Sequence, residues 1–92
     1  MIDEDFDLQY EMQEGLIIQD AYRRVGYDLF QYGKRIAYAS NWKDAIKAAM
    51  LYMNKSHYWP NVFYVNERGN VDLLVISRRG RGYTSKILES WV

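Results

Sequence analysis

The sequence predicts a single small α+β domain, ordered α-β-β-α-β-β with an optional C-terminal α, in which antiparallel hairpins pack on a central amphipathic helix. Three observations carry that expectation. Trp42, Ala45, Ile46, Ala49, Met50 and Met53 recur at helical spacing and draw one apolar stripe. Runs of strand-forming residues lie on either side of that stripe, each folded about a glycine, Gly33 and Gly69. The 92 residues are 49% apolar and 16% aromatic, too apolar for a disordered chain and too few for a second core.

In chain order, residues 1–7 read as an acidic flexible arm and residues 8–92 as the domain. From Leu8 to Val25 the apolar positions Leu8, Met12, Ile17, Ile18, Ala21, Tyr22 and Val25 suit a helix. Asp7 is a fitting cap, and Arg23 and Arg24 complement the helix dipole. Gly15 costs such a helix about 1 kcal/mol relative to Ala, so a helix beginning near Leu16 is the alternative. Tyr27–Ala39 reads as a hairpin turning at Gly33-Lys34, which pairs Leu29 with Tyr38 and Phe30 with Ala37. Its faces would be Tyr27, Leu29, Ile36 and Tyr38, and Phe30, Tyr32, Ala37 and Ala39.

Ser40 or Asn41 can cap the central helix, and Ala45 and Ala49 let a sheet approach its backbone. Pro60 holds Trp59 extended and stops any helix before it. Val62–Val65 and Val71–Ile76 form a second hairpin through Glu67-Arg68-Gly69-Asn70, pairing Tyr64 with Leu73 and Phe63 with Leu74. Ser85 can cap a last short helix carrying Ile87, Leu88 and Trp91, with a strand as the alternative. Both hairpins are apolar on both faces, and strands of that kind are normally covered on both sides. One central helix covers one side only. The other side falls to the N-terminal helix, the C-terminal segment or a second molecule.

Composition excludes several classes. Without cysteine there is neither a disulfide nor a thiolate metal site. Met1–Asp7 is acidic where a secretory signal is basic and then apolar, and no run approaches a membrane span, so a cytoplasmic protein off the membrane is expected. Asn54-Lys55-Ser56 fits the glycosylation pattern by chance in such a protein. His57 is the single histidine, and no carboxylate lies within nine residues of it in sequence. A catalytic base needs an orienting partner and a metal needs several ligands, so no enzyme, metal site or cofactor is expected.

The zero net charge hides an asymmetry. Residues 1–20 hold seven acids and no base, while residues 21–92 hold twelve Lys and Arg against five acids, a net of +7. The acidic segment reads as a solvated arm, as a segment docked on the chain's own basic body, or as a segment that presents phosphate-like charge to a basic partner. The sharpest local signal is Arg78-Arg79-Gly80-Arg81-Gly82-Tyr83, where glycines allow close approach and arginines suit phosphate. An exposed solubilising loop is the simpler reading of that run. Phe30, Tyr32, Lys34, Arg35, Arg78, Arg79, Arg81 and Tyr83 together make the candidate binding surface. The functional expectation is a small regulatory or interaction module that binds a protein partner or itself as a homodimer. The alternative is a nucleic-acid-binding module built on the same residues.

Overall fold

The computed structural model describes residues 8–55, 60–76 and 83–89. They form two helices and a six-stranded mixed sheet, so the α+β class holds. The elements are α1 (Leu8–Glu14), β1 (Leu16–Asp20), β2 (Tyr27–Gln31), β3 (Lys34–Ala39), α2 (Trp42–Lys55), β4 (Val62–Val65), β5 (Val71–Ile76) and β6 (Tyr83–Glu89). The sheet order is β3-β2-β1-β4-β5-β6. Each half of the chain is a three-stranded antiparallel meander, and β1 joins β4 in parallel at the middle.

The element order differs from the expected α-β-β-α-β-β at both ends. The helix over Leu8–Val25 stops at Glu14, and Leu16–Asp20 is a central strand. Leu16 and Ile18 are fully buried on one face while Ile17 is half-buried on the other. Such two-sided apolar residues fit a central strand, and the tertiary pairing overrides the weak helical periodicity. At the other end the optional C-terminal helix gives way to its stated alternative, a strand: Tyr83–Glu89 is β6, paired antiparallel with β5.

The central helix forms where its stripe lies. Ala45, Ile46, Ala49 and Met53 are buried, and the half-buried Trp42 and Met50 pack beside them. Of the two available caps, Asn41 serves: its Oδ1 accepts the Asp44 N–H at 2.9 Å, and its carbonyl accepts the Ala45 N–H at 3.0 Å. The helix packs on β1, β2 and β3. Its core cluster takes Leu16, Ile18, Leu29, Ala39, Val62, Leu74 and Ile76 from one sheet face. Full burial of Leu29 or Ile18 contributes about 1.5–3 kcal/mol each.

Both hairpins are present, each in a shifted register. In the first, Gln31 pairs with Lys34, so the two-residue turn is Tyr32-Gly33 and not Gly33-Lys34. Both turn residues have positive φ, 54° and 74°, the pattern of a type I′ turn whose twist matches that of the strands. An irregularity at Leu29/Phe30 then pairs Phe30 with Arg35 and Leu29 with Ala37, leaving Ile36 as the extra residue. In the second hairpin the loop is the five residues Asn66–Asn70. Asn66 Oδ1 accepts the Arg68 and Asn70 N–H groups, both at 2.9 Å. The odd loop length moves β5 by one residue, so Phe63 pairs with Leu73 and Tyr64 with Asp72. A slip of one residue exchanges the two faces of a strand, and Leu74 and Ile76 therefore face α2.

Candidate functional site

The sheet face opposite α2, here the outer face, carries the candidate site. Strand alternation and register put Arg35, Phe30, Ile17, Phe63 and Leu73 in one row across five strands. Tyr38, Asp28, Gln19, Val65 and Val71 form the next row. Phe63 is fully buried because the end of α1 closes on it. A Cβ placed on Gly15 would lie 3.0 Å from both the Glu11 carbonyl and Phe63 Cε2, and Asn61 Nδ2 donates to Glu11 Oε2 at 2.9 Å. Away from that contact, Ile17, Phe30, Val65 and Leu73 are half-buried and Val75 is exposed.

At the β2–β3 end, the outer face becomes cationic and aromatic. Asp28 is 8% exposed and sits between Arg24, 3.5 Å away, and Arg35, 3.8 Å away. Its Oδ1 has no hydrogen-bond partner. Arg24 also lies over the Tyr38 ring, 3.6 Å from its centre, and the Tyr38 hydroxyl donates to the Val25 carbonyl. The carboxylate and the ring thus hold two guanidinium groups on one face, beside Phe30 and Ile17. Guanidinium groups held in this way suit a carboxylate or phosphate, and the apolar neighbours suit an aliphatic or aromatic side chain.

The structure places the sequence-derived candidates in two groups. Phe30 and Arg35 are cross-strand partners on the outer face, with exposed Lys34 beside them at the sheet edge. Tyr32 stands in the turn, 63% exposed, with a left-handed backbone that a non-glycine residue seldom adopts. Tyr83 opens β6, paired with Ile76 at the opposite edge of the sheet. Arg78, Arg79 and Arg81 lie outside the described residues, as does His57. Strand directions nevertheless relate the two groups, because β2 and β5 both end where β1 and β4 begin. The Tyr32-Gly33 turn and the connection from Ile76 to Tyr83 therefore leave from one end of the sheet. Three strand spacings, about 14 Å, separate β2 from β5.

Compared with protein-family models, curated proteins and solved structures, the chain matches none. Its reading rests on its own residues.

Sequence reasoning missed Arg24, Asp28 and Tyr38. The shifted turn had put Tyr38 on the same face as Leu29. Reading Tyr32-Gly33 as the turn, with one extra residue at Ile36, would have put Tyr38 beside Asp28.

A second cluster, facing α2, is structural. Tyr27, Trp42 and Tyr64 meet edge to face, with ring centres 5.0–6.1 Å apart. Tyr64 donates to Asp20 Oδ1 at 2.6 Å, and Asp20 Oδ2 accepts the Glu67 N–H at 3.1 Å. Burial first, and then the Asp20 hydrogen bond, raise the Tyr64 phenol well above its ordinary value. A phenol held protonated in this way is a clamp between β1, β4 and the following loop, not an activated base. Among the described residues, no group of three or more His, Asp or Glu could hold a metal ion. No helix among them is long and apolar enough to cross a membrane.

Proposed function

We propose that this chain is a small non-enzymatic interaction module that binds an acidic protein segment through the outer face of its β2–β3 end. The supporting observation is the outer-face row from Arg35 through Phe30 and Ile17, with Arg24 and Arg35 ordered on Asp28. Arginine and aromatic side chains around an apolar centre are the composition of binding hot spots. Arg23, Arg24, Lys34 and Arg35 stand against Asp28 alone over residues 21–39, so an acidic partner complements the face. That partner is a second copy of the chain or another protein. The lack of cysteine fits action in the cytoplasm.

Nucleic-acid binding is the second reading. What favours it is the shared sheet end of the Tyr32 turn and the connection holding Arg78, Arg79 and Arg81. One experiment separates the two. A labelled acidic peptide containing aromatic residues and a labelled single-stranded RNA are titrated into the full chain, into the Phe30→Ala variant and into the Arg24→Gln/Arg35→Gln variant. The first reading expects peptide binding that both variants lose. RNA binding that falls steeply with salt and disappears when the three loop arginines become alanine supports the second. A chain that binds neither and is strictly monomeric by light scattering refutes the first.

A further inference from the structure

We infer that the chain's own acidic arm, residues 1–7, docks on the outer face of the β2–β3 hairpin and occupies the site that an acidic partner would use. This deepens the reading of that face as a binding surface and rests on it. Charge is the first argument. Residues 1–7 contain Asp3, Glu4, Asp5 and Asp7 and no base. Arg24 and Arg35 are ordered by Asp28, yet their side chains remain 46% and 56% exposed, so each keeps donors for a second acceptor. The arm also carries Ile2 ahead of its acids and Phe6 between Asp5 and Asp7, and these match the half-buried Phe30 and Ile17 beside those arginines.

Reach is the second argument. The arm joins α1 at Leu8, and α1 ends beside Leu16 at the start of β1. From β1 to β3 is two strand spacings, about 10 Å. Helix α1, of seven residues, is about 10 Å long, and seven extended residues span up to about 24 Å. The hairpin therefore lies within range of the arm of the same molecule. A tethered acidic segment has a high effective concentration at its own face, so a weak contact suffices to compete with an outside partner. The arm thereby acts as a built-in competitor, and a partner must displace it.

Because the chain has no cysteine, one Cys inserted between Met1 and Ile2 gives one attachment site for a nitroxide spin label and keeps Ile2, Phe6 and the four acids in place. Backbone amide signals of the labelled full chain are compared with the label oxidised and reduced, at low salt and at about 1 M salt, where the screening length is about 3 Å. The expected result is a several-fold loss of intensity at Arg24, Asp28, Phe30, Arg35 and Tyr38 at low salt. High salt reverses it, as does neutralising the arm by Asp3→Asn, Glu4→Gln, Asp5→Asn and Asp7→Asn. The neutralised arm leaves the folded body untouched, which guards against misfolding of an arginine variant. Signal loss centred on other residues, or no loss at low salt, overturns the inference. So does loss seen only when labelled chains broaden the signals of unlabelled ones, since the arm would then serve a second copy. Each of these outcomes concerns the arm alone, so the partner-binding reading stands or falls separately on the peptide titration.

Discussion

Replacing Gly15 with Ala discriminates between a helix that runs through this position and the observed break. In a continuous helix, Gly15→Ala would stabilise by about 1 kcal/mol, because alanine is the better helix former. In the structure, a Cβ there would lie 2.5 Å from the Asn61 carbonyl oxygen and 3.0 Å from the Glu11 carbonyl and Phe63 Cε2. The nearest of these is backbone, and it is already committed: Leu16 N–H donates to that same carbonyl at 2.8 Å where β1 meets β4. Relief therefore requires moving the start of the parallel pair. Overpacking of this kind costs about 1–3 kcal/mol, and weakening the hydrogen bond adds about 1 kcal/mol. The expected loss is about 2–4 kcal/mol. Urea denaturation followed by far-ultraviolet circular dichroism should show a midpoint lowered by roughly 1–3 M at unchanged slope. The melting temperature should fall by roughly 10–20 °C. A Gly15→Ala variant as stable as the parent, or more so, would refute the close approach of α1, β1 and Asn61.

Three further outcomes follow from the same geometry. Tyr32→Asn should stabilise by about 0.5–1 kcal/mol, since asparagine before glycine is favoured in a type I′ turn, while weakening any partner that stacks on the exposed ring. Thermal melts and the peptide titration read the two effects separately. Tyr64→Phe removes the donor to Asp20 and should cost about 1–2 kcal/mol in urea denaturation. It should also change the alkaline limb of stability. The folded Tyr64 keeps its proton above pH 10, where an unfolded tyrosine loses its own, so this contribution is complete below about pH 10 and is lost as pH rises further. The parent should therefore lose stability more steeply than Tyr64→Phe above that pH. Finally, Arg24→Ala and Arg35→Ala should each alter stability by less than about 1 kcal/mol, because both side chains are half-exposed. The double variant should exceed the sum of the two by about 1 kcal/mol, because buried Asp28 then loses both counter-charges. Strict additivity in that cycle would show that the cluster is not coupled.

What was legible in the sequence is local. The α2 stripe predicts its own burial because helical periodicity refers only to nearby residues, and Asn41 caps it as its side chain allows. Both hairpins were visible as apolar runs around glycines. Their registers were not, since register depends on single residues: the turn shifts from Gly33-Lys34 to Tyr32-Gly33, and the loop from four residues to five. Each shift turns side chains to the opposite face, which is how Tyr38 escaped the predicted site, whereas Asp28, two residues from Phe30 on β2, shares the Phe30 face in either register. The segment Leu16–Asp20 escaped for a different reason. Leu16, Ile17 and Ile18 are consecutive apolar residues, a pattern shared by buried helices and central strands, and only the partners β2 and β4 decide between them.

That one strand changes what the sheet can do. Without β1 the β2–β3 hairpin would be a two-stranded unit cut off from the β4-β5-β6 meander, and two-stranded units are marginal in water. By pairing with β2 on one side and β4 on the other, β1 makes a sheet six strands wide. The described fourteen-residue α2 packs on β1, β2 and β3 on one face, while the described seven-residue α1 closes on Phe63 on the other. The outer face is thus wider than the described α1, and the part farthest from it along the sheet is the β2–β3 edge, where Arg24, Arg35 and Tyr38 gather around Asp28. Edge strands are commonly defended by charge and by bulges, and β3 carries both, in Lys34, Arg35 and the extra residue at Ile36. Those defences oppose strand addition at the edge but leave the outer face itself accessible. A partner, or the acidic arm, is therefore expected to engage this hairpin through side chains on its outer face and not by extending the sheet.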